Sequence, residues 1–168
     1  MVHGLRFFSH VTLGRPTTTF HIPCAKQPSK LPGILSQAEV AQLFAAAPTL
    51  RHRTLLQTTY SAGLRVSEVL HLKVTDIESP RMGLRIEQGT RRKDRYVPLS
   101  ARFLPALRTY WRTSRPVTWL FPNHTGAQPI SPVTAHRIFH AAKGRAGIVK
   151  PGGIHSLRSA CDALAMDI

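Results

Sequence analysis

The chain has 168 residues, 42% of them hydrophobic, which suffices for one moderate core, or for one domain plus a fragment. Lysine and arginine total 23 against 8 acidic residues, giving a formal charge of +15 and a pI near 11.4, a balance that favours a polyanionic partner, most simply nucleic acid. Cys24 and Cys161 stand far apart with no CxxC spacing, which argues against a disulfide framework and fits a reducing cytoplasm; no run is apolar enough to span a membrane, and the N-terminus lacks the continuous apolar stretch of a signal peptide.

Residues 5–22 read as a short amphipathic piece, and 23–33, with Pro23, Pro28, Pro32 and Gly33, as a linker, so a domain boundary is expected near Leu31–Leu35. Ser36 and Glu39 have capping-box spacing, and Val40, Leu43 and Phe44 form the apolar stripe of the helix they open, which ends before Pro48. A second helix is expected over Arg51–Tyr60, with Leu55, Leu56 and Thr59 on one side. Gly63 breaks it, and a third helix spans Arg65–Leu72 with Val66, Val69 and Leu70 inward. Leu84 and Ile86 alternate with Arg85 and Glu87 as a strand does; Tyr96–Leu99 is a second strand, and the charged run between them a turn. Ser100 is expected to cap a helix carrying Phe103, Leu104, Leu107, Tyr110 and Trp111, with Trp111 and Trp119 in the core. Trp119–Pro122 forms a buried apolar plug. Ser131-Pro132 opens a further helix (Ser at the N-cap, Pro at N1), and His155–Met166 is the last helix.

Most of the basic residues fall between Arg51 and Arg115, which points to that stretch for the main phosphate contacts. Two short motifs flank its basic turn. The first is Tyr60-Ser61-Ala62-Gly63-Leu64-Arg65-Val66-Ser67-Glu68-Val69, the second His155-Ser156-Leu157-Arg158, and Gln88-Gly89-Thr90-Arg91-Arg92-Lys93-Asp94-Arg95-Tyr96-Val97-Pro98-Leu99 lies between them. An (i, i+3) spacing on a helix would put Arg65 with Glu68, and His155 with Arg158, on one face. Taken singly, these are an ordinary surface ion pair and a capped helix start. In this order, with Trp119-Leu120-Phe121-Pro122, the pattern over residues 31–165 resembles the catalytic domain of the tyrosine recombinase (phage integrase) family.

That resemblance implies a mainly α fold with a small antiparallel sheet (α+β), and residues 1–30 as the remnant of a core-binding domain plus linker ahead of a catalytic domain at 31–168. It implies a partner, double-stranded DNA, further recombinase protomers, and the bacterial cytoplasm at the nucleoid, with no membrane, metal or cofactor. In such a site Arg65 and Arg158 clamp the phosphate, His155 donates to it and Glu68 supports them. Arg91, Arg92, Lys93 and Arg95 grip the DNA. Phosphodiester transfer piles negative charge on the non-bridging oxygens, and arginine's permanently charged planar fork suits them. A tyrosine attacks phosphorus and conserves the bond energy in a phosphotyrosine.

Three departures from the family pattern stand out. Thr90 occupies the place of the β-turn lysine that protonates the leaving oxygen. Ser159 stands where a histidine often follows the second arginine. The nucleophilic tyrosine is expected beyond Arg158, and Tyr60, Tyr96 and Tyr110 all precede it, so no nucleophile is expected in this chain. The sequence therefore reads as a truncated integrase or transposase of the insertion-sequence type, retaining DNA binding with cleavage lost. Alternatives are a non-catalytic regulator of full-length recombinases, an enzyme active only with a tyrosine supplied in trans, and, outlying, an RNA binder of ribosomal type. Truncation is expected to expose Leu157, Ala160 and Leu164. His136 and His140 have a metal-compatible (i, i+4) spacing but lack a third ligand, and read as a polar helix face.

Overall fold

The computed structural model describes residues 33–87 and 94–165 together with Val11, with side chains through Asp162. The expected amphipathic piece at 5–22, the linker up to Pro32 and the turn residues 88–93 lie outside the described residues. The chain divides into two compact units, Met1–Leu31 and Pro32–Ile168, and every named element belongs to the second. Six α-helices are described, α1 (Gln37–Ala45), α2 (Leu50–Ser61), α3 (Val66–Leu70), α4 (Leu104–Ser114), α5 (Pro132–Arg145) and α6 (His155–Ala165), with strands β1 (Ile77–Glu78), β2 (Gly83–Ile86) and β3 (Arg95–Pro98) between α3 and α4. The architecture is mainly helical with one small antiparallel sheet, as expected.

The capping box opens α1: Ser36 Oγ accepts from the Glu39 amide at 3.3 Å, and Glu39 Oε2 accepts from the Ser36 amide at 2.7 Å. Lys150 Nζ also donates to Glu39 Oε2, at 2.7 Å, which fastens this helix start to the segment before α6. The α2 helix buries Leu55 and Leu56 beside Thr54, Thr58 and Thr59. Each of these threonines donates its hydroxyl to the carbonyl four residues back, so a polar stripe enters the core with its donors satisfied.

The sheet runs β1-β2-β3, antiparallel throughout, with Leu84 opposite Ile77 and Val97, and Arg85 opposite Tyr96. The alternation at 84–87 announced β2; β1, only two residues long, carries no pattern of its own and was not expected. The Trp119–Pro122 plug binds to the rest through its backbone. The Leu120 amide donates to Leu72 O at 2.8 Å, and Phe121 O accepts from the Ile130 amide at 3.0 Å. Leu120 and Phe121 are fully buried, and the Tyr110 hydroxyl donates to Leu120 O at 2.9 Å.

Several expectations need correction, Trp119 among them, which is half-buried rather than core. Ser100 does not cap α4: the helix begins at Leu104, with Pro105 in its first turn, and Ser100 instead closes a tight turn whose carbonyl accepts from the Phe103 and Leu104 amides. Trp111 is not core but 40% exposed, because Leu104, Leu107 and Tyr110 already fill the inner face of α4. Leu157 and Ala160 are fully buried rather than exposed, since α6 packs on α2 and this chain covers its own last helix; the side chain of Leu164 lies outside the described residues. Among the described residues no helix is long and apolar enough to cross a membrane.

Candidate functional site

Arg65 is the N-cap of α3 rather than part of a longer helix. Gly63, two residues earlier, ends α2 with φ +55, a left-handed conformation that glycine adopts without Cβ strain. A Cβ on it would sit 3.7 Å from both Cys161 Sγ and Asp162 Oδ1, so the turn carrying Arg65 lies against α6. Asp162 is one helical turn beyond Arg158 and pairs with its Nε at 3.7 Å. The two arginines of the distant motifs are thus brought into one neighbourhood, linked through Asp162 and Gly63.

Glu68 organises the first arginine. Its carboxylate is largely buried, and Oε2 accepts both the Arg65 amide at 2.9 Å and Arg95 Nη2 at 2.9 Å. Arg65 Nη1 stands 3.6 Å from Glu68 Oε1, outside hydrogen-bonding distance, and the Arg65 side chain is 44% exposed. Glu68 therefore fixes the backbone of Arg65 and biases its guanidinium while leaving the donors facing outward. The spacing of three is a cap-to-N3 relation, not a pair on one helix face. Arg95, expected as a DNA contact, is half-buried and gives one nitrogen to Glu68; Arg91, Arg92, Lys93 and Thr90 lie outside the described residues.

Arg158 is the more constrained of the pair. Its Nη1 is buried, and among the described residues no acceptor lies within hydrogen-bonding distance. An unpaired buried donor on a charged group costs about 1–3 kcal/mol or more. His155 starts α6 on the surface, edge-on to His136 with ring centroids 6.0 Å apart. No group of three metal-liganding side chains occurs among the described residues.

Lys73 belongs to no motif in the sequence, yet it lies beside Glu68. A cleft of about 310 Å³ beside Glu68 is bounded by Ser67, His71, Lys73, Glu87 and Trp119. Lys73 Nζ donates to Glu87 Oε2 at 2.7 Å; that bond holds the lysine's pKa above its ordinary value and Glu87's below its own. Glu87 also accepts from Arg85, which reaches the buried Asp76 at 3.4 Å. The signal was the alternation of buried Leu70 and Leu72 with outward His71 and Lys73.

Burial pushes the His52 pKa below its ordinary 6.5, helped by Arg51 and Arg145, and its Nδ1 is buried without a partner. A proton there also meets the positive end of α2. The unfolded chain binds the proton first as pH falls, so stability from this group is full above about 6.5 and declines below it. Unfolding free energy should fall between about pH 7.5 and 5.5, and His52→Gln should flatten that slope; urea titrations across the range check this, and an unchanged slope would refute it.

The model of the phage integrase family matches residues 34–166. The Sinorhizobium fredii protein y4qK, named as an integrase/recombinase, is 44% identical over 160 residues, covering 95% of this chain and 52% of its own length. A tyrosine recombinase of Thermosipho africanus is 37% identical over 132 residues, covering 77% of this chain and 46% of its own. The chain thus spans about half the length of these relatives. Among solved structures, XerA recombinase superposes with a TM-score of 0.74 at 21% identity, over 98% of this chain and 68% of that one. A lambda integrase dimer bound to a core site gives 0.76 at 21%, over 94% and 61%.

Proposed function

The chain belongs to the phage integrase family of tyrosine recombinases, and we propose that these 168 residues bind double-stranded DNA, clamp one phosphate between Arg65 and Arg158, and do not break the strand unaided. The observation that carries this reading is the approach of the Arg65 turn to α6, which brings the exposed Arg65 fork and the partly exposed Arg158 guanidinium into one neighbourhood. The exposed part of the Arg158 guanidinium offers donors to a phosphate oxygen, and the exposed Arg65 fork supplies a second cation. His155, one turn before Arg158, adds a donor at the surface. Arg91, Arg92, Lys93 and Arg95 extend the grip along the backbone, where each neutralised phosphate strengthens binding at low salt.

Cleavage needs a nucleophile, and none of the three tyrosines suits the role. Tyr110 is fully buried with its hydroxyl given to Leu120 O. Tyr60 is half-buried, edge-on to Phe44, and burial raises its pKa. Tyr96 follows Arg95 on β3 and therefore faces away from the side on which Arg95 meets Glu68. Thr90 offers a hydroxyl where a readily lost ammonium proton is wanted. Lambda integrase binds a core site as a dimer and a Holliday junction as a tetramer, which supports recombinase protomers as further partners here.

The test is a mobility shift on duplex DNA across a salt series, run beside nicked suicide duplexes analysed on a denaturing gel. Salt-sensitive binding with no covalent adduct is expected. An adduct lost in Arg65→Ala and Arg158→Ala would place a nucleophile within these residues and overturn the binding-only reading. Absence of duplex binding would overturn the reading altogether.

A further inference from the structure

A second recess lies away from the arginine pair, between α4 and the segment from Val74 to Ser79. It has a volume of about 350 Å³, the low end of ligand pockets, sized for one or two side chains rather than a cofactor. Its floor is aliphatic, from Val74, Ile77 and Leu107, and its rim carries Arg108, Trp111 and Arg112. Trp111 is 40% exposed, and the Arg115 guanidinium lies over its ring at 4.7 Å. An aromatic anchor ringed by arginines over an apolar floor has the composition of a protein-binding hot spot.

Charge decides the occupant. Glu39, Glu68, Asp76, Glu78, Glu87 and Asp162 each pair with a lysine or arginine elsewhere. Among the described residues no carboxylate pairs with Arg108, Arg112 or Arg115. A second copy of a chain at +15 brings repulsion and few spare carboxylates to this rim. Duplex DNA would satisfy the arginines but has no apolar knob to fill the recess, and its floor offers nothing to a phosphate or a base edge. We propose that this groove docks an acidic, amphipathic segment of a separate protein, its apolar side chain seated against Trp111 and its carboxylates on Arg108 and Arg112. The inference is independent of the DNA reading.

The probe is a short fluorescein-labelled peptide rich in glutamate, with leucine and phenylalanine at i, i+3 and i+4. Its control has the same charge, with the apolar residues replaced by serine. Anisotropy at physiological salt should show the apolar peptide binding at least about tenfold tighter than its control. Trp111→Ala should abolish that difference, and Arg108→Glu with Arg112→Glu should weaken the peptide by about tenfold or more. Duplex binding and melting temperature of Trp111→Ala should stay unchanged, which separates this outcome from any failure of the DNA reading. Equal affinity for both peptides would overturn the proposal. So would a Trp111-dependent affinity for oligothymidylate in place of the peptide, or Trp111-dependent self-association.

Discussion

Replacing Arg158 by methionine should weaken duplex binding by about 10- to 100-fold while raising the stability of the DNA-free protein by about 1 kcal/mol. The two effects come from different atoms of one guanidinium. Nη1 is buried and has no partner among the described residues, a standing cost in the free protein, while the exposed remainder of the guanidinium is what a phosphate reaches. The Asp162 partner is 64% exposed and 3.7 Å away, an ion pair whose loss costs little. Methionine keeps most of the length and packing of the stem and removes the orphan donor. The log–log salt slope should fall by about one, as for the loss of one phosphate contact. Chemical denaturation together with salt-dependent anisotropy checks both parts. A destabilised variant with normal DNA affinity would make Arg158 a structural residue. A trade of stability for binding is what a functional site in a marginally stable fold produces.

How much of this was legible in the sequence depends on the distance over which each feature is determined. The Ser36–Glu39 box, the Gly63 break and the Ser131-Pro132 start were readable because each satisfies its own backbone within four residues. The Leu84 and Ile86 alternation was readable for the same reason, since period-2 burial is local. The α4 start misled because Ser100 has a cap's chemistry, whereas Pro105 in the first turn set the boundary. Trp111 misled because hydrophobicity states a preference for burial, not whether Tyr110 and Leu107 already occupy the space. Burial of Leu157 and Ala160 by α2 depends on a contact across about a hundred residues, which no local pattern encodes.

The site divides along the same line. The order of Arg65, Glu68, His155 and Arg158 along the chain singled them out as candidates. The link from Gly63 to Asp162, the Glu68–Arg95 pair and the orphaned Nη1 belong to three dimensions only. Lys73 was missed because its motif neighbours are ordinary; its meeting with Glu87 is set by the antiparallel pairing that follows.

Phe121→Ala should be among the most damaging single changes to the fold, at about 3–5 kcal/mol, against a total stability of about 5–15 kcal/mol. The ring is fully buried and lies 5.6 Å from that of Tyr110, so its removal leaves a cavity that a packed core fills poorly. Melting should drop by about 10 °C or more. The same strip holds the residues after α3: Leu120 bonds Leu72 O, and Lys73 pairs with Trp119 across an isolated bridge. Loosening it should therefore disturb the segment that follows Arg65 and Glu68, and DNA affinity should fall even at temperatures where the variant remains folded. Phe121→Leu keeps the apolar contact and should retain most of both properties. Val117→Ala, at a position 91% exposed, should stay within about 0.5 kcal/mol of the parent. Calorimetry and duplex binding on the three variants check the argument: if Phe121→Ala melts with the parent, the strip does not anchor the core, and if it melts low but binds DNA normally, the strip anchors the core without supporting the site.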